Sequence, residues 1–137
     1  MEIRKSKFDP SHTCVFLTQD DDKYADVKPA FNKHGLAFKK GNFIFFDETE
    51  LKRVGYFNKD AIIFIEAHEI AHSALKHTQT TKYVEAEADF LAVLLCKDAN
   101  YPRSAKVGIR EFRDRNGVSF DAFAKKHKNS VLKKIKK

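Results

Sequence analysis

Between Asp60 and Leu75 the chain is apolar on nearly every side, carrying Ala61, Ile62, Ile63, Phe64, Ile65, Ala67, Ile70, Ala71, Ala74 and Leu75. A surface helix keeps one polar face, whereas a helix apolar all round has to be covered all round. Asp60 offers a side chain of the type that caps helix starts. The pattern therefore predicts a buried central helix around which the other elements are arranged. A chain of 137 residues suffices for one domain with a short appendage, and a hydrophobic content of 42% is enough for a genuine core.

The flanking segments read as a mixture of strands and helices, an α+β fold. Thr13–Leu17 is a short apolar run after Pro10 and reads as a strand. Asp20, Asp21 and Asp22 open a helical segment that ends at His34 and Gly35, with Pro29 as an expected break. Leu36 to Asp47 reads as a hairpin, because aromatic residues flank Lys39-Lys40-Gly41-Asn42. Leu51 to Phe57 has no clear period. A second long helix, capped by Thr80 or Thr81, runs to about Cys96, and Asp98 to Pro102 is a connector. Ser104 and Ser119 are expected caps of two further helices, the first stopping near Asn116-Gly117, and Val131 to Lys137 again has helical spacing.

The net charge of +7 is unevenly placed. Residues 103–137 carry twelve basic and three acidic side chains, and the preceding 102 carry fourteen and sixteen. The expected organisation is a domain over 1–102 and a basic helical extension over 103–137. Cys14 and Cys96 are far apart, form no CxxC pair, and are expected as buried small hydrophobes. No stretch approaches eighteen apolar residues, so no membrane partner is expected. Met1 to Lys5 is not followed by an apolar run of the kind that marks export, and an intracellular, cytoplasmic place is the reading.

The polar residues inside the apolar helix include His68, Glu69 and His72 in the order His-Glu-Ile-Ala-His. Residues four apart share one helix face, so both imidazoles can reach a single Zn²⁺ at about 2.0–2.1 Å. Glu69 is offset from that face, but its side chain can reach a water held by the metal. Burying the three without a common partner would be costly. Two nitrogens leave a catalytic zinc one ligand short. A third histidine six residues after His72 would complete one known pattern, but that position is Thr78.

Glu85-Ala86-Glu87-Ala88-Asp89 on the second long helix offers the missing donor. Glu85 and Asp89 share a face, which suits Glu85 as an oxygen ligand and Asp89 as acceptor from the distal nitrogen of His68 or His72. Glu87 is the rival ligand. His77, Tyr83 and Tyr56 are candidate donors to a developing oxyanion, with His77 also a candidate proton donor.

Together, His68-Glu-Ile-Ala-His72 and Glu85-Ala-Glu-Ala-Asp89-Phe-Leu-Ala resemble the gluzin branch of zincin metallopeptidases, and look most like the compact ImmA/IrrE-type peptidases of bacteria and phages. The likeness spans roughly residues 36–96. It implies a minimal zincin-like domain, a small twisted sheet packed on the active-site helix and a second ligand-bearing helix. It also implies His68, His72 and Glu85 as zinc ligands, Glu69 as general base toward a zinc-activated water, and Asp89 behind a ligand histidine. The implied activity is hydrolysis of peptide bonds in an intracellular protein, with DNA-binding regulators among the substrates of such enzymes, in a bacterial cell or a phage-infected host.

Two further expectations concern partners. Phe43 to Phe46 is read as an edge strand able to pair with an extended peptide. Lys125, Lys126, Lys128, Lys133, Lys134, Lys136 and Lys137 could meet phosphates or an acidic partner, which gives an alternative function as a nucleic-acid-binding or catalytically inactive zinc-containing interaction protein.

Overall fold

The computed structural model describes residues 1–79 and 81–135. Thr80, Lys136 and Lys137, named above as a candidate cap and as members of the basic tail, lie outside the described residues. The fold is α+β, with a four-stranded mixed sheet and six helices among the described residues. The chain forms two compact units, Met1–Ile62 and Ile63–Lys137. No described helix is long and apolar enough to cross a membrane.

The first unit holds β1 (Glu2–Lys5), β2 (Thr13–Leu17), α1 (Tyr24–His34), β3 (Ala37–Lys40), β4 (Phe43–Asp47) and α2 (Glu48–Arg53). The sheet order is β1-β2-β4-β3. The β3–β4 hairpin is antiparallel, as its turn residues suggest, and Gly41 takes φ +59°, a conformation that favours glycine. β4 pairs parallel to β2, with Phe16 opposite Phe46 and their rings stacked at 4.5 Å. Phe43 to Phe46 is therefore interior to the sheet, not an edge; β1 and β3 are the edges. The sequence pattern had not singled out β1, whose residues are mostly exposed.

α1 runs unbroken through Pro29, so the expected interruption is absent. It buries Phe31 with Val15, Leu17 and Phe38. Asp47 ends β4 and caps α2, its side chain accepting from Glu50 N at 3.2 Å. Tyr24 Oη and Lys28 Nζ also reach this buried carboxylate, at 3.0 and 3.3 Å.

The long apolar helix, α3 (Lys59–Ala74), begins two residues earlier than expected. Asn58 is the cap, its Oδ1 accepting from Ala61 N at 3.0 Å, and Asp60 sits within the first turn. The second unit continues with α4 (Lys82–Asp98), α5 (Pro102–Asn116) and α6 (Phe120–Ile135). Thr81 caps α4, accepting from Val84 N at 3.1 Å. Ser104 does not cap α5: Pro102 occupies the first turn and Ser104 is buried inside the helix. Ser119 does cap α6 through Ala122 N at 3.1 Å.

α3, α4 and α5 close tightly where Gly108 of α5 faces Phe64 and Val93. A Cβ at that position would run into Phe64 Cε1 and stand 2.7 Å from Val93 Cγ2. Phe90, Phe112, Phe120 and Phe123 then form an aromatic cluster between α4, α5 and α6, with ring centroids 5.2–5.8 Å apart. Both cysteines are buried free thiols.

Candidate metal centre

α3 carries His68 and His72 one turn apart, so their rings lie on one face. The rings are nearly perpendicular, at 89°, and their Nε2 atoms are 3.1 Å apart. Glu85, in the first turn of α4, brings Oε2 to 2.7 Å from His72 Nε2 and 3.4 Å from His68 Nε2. The three atoms thus converge on one point, and they are a ligand set able to hold a metal ion. A tetrahedral ion with bonds of about 2.0–2.1 Å spaces its ligand atoms roughly 3.3 Å apart.

The donor chemistry fits. Glu85 Oε2 is sealed from solvent without a well-directed hydrogen bond, although two imidazole nitrogens stand beside it. A cation shared by all three atoms would satisfy a buried oxygen left in that state. Exposure rises from 8% for the His68 side chain to 19% for His72 and 41% for Glu85, so the cluster is open on its Glu85 side.

Each histidine is held from behind. His68 Nδ1 lies 2.8 Å from Asp89 Oδ1, at a bent approach. Asp89, one turn beyond Glu85 on α4, is buried and is held from the end of α5: Asn116 Nδ2 donates to Oδ2 at 3.1 Å and Arg115 Nη2 is 3.5 Å from Oδ1. The sequence had offered no reason to connect Arg115 or Asn116 with this site. Burial opposes a charge on His68, but Asp89 and Glu85 outweigh it and raise its pKa to about 9. His68 and His72 hold Glu85 well below the usual carboxylate range. Burial also opposes ionisation of Asp89, yet His68, Arg115 and Asn116 keep its pKa below the ordinary value.

Behind His72 stands His77. α3 ends with Lys76 at φ +57°, Lys76 N bonded to Ser73 O at 3.1 Å and His77 N to His72 O at 3.0 Å. This pairing is the Schellman C-cap, which folds the residue after the turn back on the last helical turn. It brings His77 Nδ1 to 2.9 Å from His72 Nδ1. The other nitrogen, Nε2, is 3.0 Å from Glu87 Oε1, so both ring nitrogens of His77 face protein atoms. Burial lowers the pKa of His77, with Glu87 acting in the opposite direction.

Of the two rival carboxylates, Glu85 reaches the histidine Nε2 atoms, while Glu87 is fully buried against His77 and Lys134. Glu69 is half-buried, beside His68 in the chain. Tyr83 is 44% exposed and its hydroxyl meets His127 Nδ1 at 3.3 Å, on α6. Tyr56 belongs to the other unit, and is 42% exposed. No protein-family model, curated protein or solved structure matches the chain.

Proposed function

We propose that this protein is a zinc-dependent peptidase of the gluzin type, related in design to the ImmA/IrrE-type enzymes and acting on an intracellular protein. The observation that carries the reading is the convergence of His68 Nε2, His72 Nε2 and Glu85 Oε2 on one point with an open side. In this reading these three residues hold Zn²⁺. The ion, when bound, supplies a Lewis acid that polarises a carbonyl and acidifies water.

The chain's own residues do the rest. Asp89 and His77 hold the two imidazole rings with both Nε2 atoms toward Glu85 Oε2, the arrangement that would suit a shared ion. Glu69, next to His68, accepts the proton of the attacking water and delivers it to the leaving amine. The apolar flank of α3 keeps bulk water from the His68 side, and substrate enters on the Glu85 side. No covalent acyl-enzyme is required. A regulator bound to DNA is the substrate class the motif likeness favours, in a bacterial or phage-infected cytoplasm.

One observation favours a polyanion as a further partner. Arg103, Lys106, Arg110 and Arg113 of α5 are exposed, follow a helical spacing that puts them on one face, and make no ion pair among the described residues.

The test is elemental analysis followed by a peptide-library screen. Wild type is expected to hold about one zinc per chain. Glu69→Gln should keep the metal and lose about 10²-fold or more of the cleavage rate. No zinc in wild type after reconstitution at neutral pH would overturn the reading.

A further inference from the structure

Lys134 belongs to the segment whose lysines the sequence offers to phosphates or an acidic partner, yet its Nζ is 2.6 Å from Glu87 Oε2, a carboxylate with a side-chain exposure of 1%. A buried carboxylate needs a cation or donors to remain ionised. Lys134 provides the cation, and His77 Nε2 provides a donor at 3.0 Å on the other oxygen. Once His77 Nε2 carries the hydrogen, neutral His77 presents Nδ1 as a lone pair. That lone pair faces His72 Nδ1 at 2.9 Å and can only be matched by an N–H there. His72 then carries its hydrogen on Nδ1, and its Nε2 lone pair points to Glu85 and His68. Each contact dictates the next, from α6 through α4 and the α3 cap to a ligand atom.

We propose that Lys134, Glu87 and His77 are positioning residues that fix the ring and tautomer of His72 for metal binding, and that α6 thereby sets the metal affinity of the centre. The proposal rests on the reading of His68, His72 and Glu85 as a metal site. It makes α6 part of the centre's construction, whichever partner its other lysines meet. The arrangement parallels the Asp89 brace on His68: α4 supplies both carboxylates, α5 steadies one and α6 the other.

The experiment uses the full chain, stripped of metal and titrated with Zn²⁺ against a chromophoric chelator. Wild type is compared with Glu87→Gln, Lys134→Met, Lys134→Arg and, as a control on the adjacent exposed position, Lys133→Met. The dissociation constant is expected to rise about 10–100-fold in Glu87→Gln and several-fold or more in Lys134→Met. Lys134→Arg should stay near wild type, and Lys133→Met should match it. With Co²⁺ at saturation, the visible absorption of Lys134→Met should differ from wild type, a readout that loss of stability alone does not move. Lys134 is half-exposed, so its variant decides the matter if Glu87→Gln fails to fold. Wild type that binds zinc while Lys134→Met binds equally well, with the same cobalt spectrum, would overturn this proposal alone. Wild type that binds no zinc would overturn it together with the reading beneath it.

Discussion

Asp89 Oδ1 sits 2.8 Å from His68 Nδ1, while His68 Nε2 faces Glu85 from the other end of the same ring. Two carboxylates one turn apart on α4 therefore address one imidazole in two ways, Asp89 at Nδ1 and Glu85 at Nε2, the atom that would be a ligand in the proposed metal site. Removing the Asp89 carboxylate should leave the ligands in place but poorly aimed. Asp89→Ala is expected to weaken zinc affinity about 10–100-fold in chelator competition, with metal still bound at saturation. An unchanged dissociation constant would remove Asp89 from the site.

Metal removal should be felt as lost stability. A ligand that binds only the folded chain stabilises it by about 4 kcal/mol when present at a thousand times its dissociation constant. Scanning calorimetry with and without a chelator is expected to show a drop in Tm of several degrees for wild type. Glu85→Ala, which lacks the bridging carboxylate, should show a much smaller shift. Equal shifts in both proteins would mean that the stabilising metal lies elsewhere.

Gly108 gives a prediction independent of the metal. In an exposed helix, glycine to alanine gains about 1 kcal/mol of helix propensity. Here the added methyl meets the Phe64 ring and Val93 Cγ2, so overpacking of about 1–3 kcal/mol opposes that gain. Urea unfolding should find Gly108→Ala no more stable than wild type, and a lower midpoint is expected. A clearly raised midpoint would show that the three helices are not closed at this contact.

Cys96 supplies a pH prediction. Burial, helped by the charge of Glu66, pushes its thiol up to about 12, above the ordinary range near 8.5–9. The folded chain thus keeps a proton that the unfolded chain loses. Its stabilising effect is full below about pH 8.5 and declines as pH rises toward 12. In a Cys14→Ala background, iodoacetamide at pH 8.5 should modify Cys96 only after denaturation. Rapid alkylation of the native protein would contradict this burial.

Which features could be read in advance follows from how local they are. The β3–β4 hairpin was legible because Gly41 and its aromatic flanks lie within a dozen residues, and the His68–His72 pair because one turn of helix defines it. The start of α3 was misplaced by two residues because Asn58 and Asp60 are both suitable caps, and the backbone chooses between them. The interior position of β4 was not legible, since its second neighbour, β2, comes from twenty-six or more residues earlier. Glu85 against Glu87 could only be weighed by spacing. The difference lies in the cap at Lys76, which turns His77 back on His72, and in Lys134, far along the chain. Arg115 and Asn116 escaped notice for the same reason: a helix end has no signature for what it will touch.

The parallel pairing of β2 with β4 has a consequence for the order in which the first unit assembles. A hairpin needs only its own turn, but two parallel strands cannot meet until the chain between them has doubled back. The β3–β4 hairpin can therefore form early and offer β4 as a template, with α1 folding over it before β2 docks. Amide exchange measured during refolding would then see β4 protected on its β3 side first. Protection of β1, which among the described residues pairs with β2 alone, would come last.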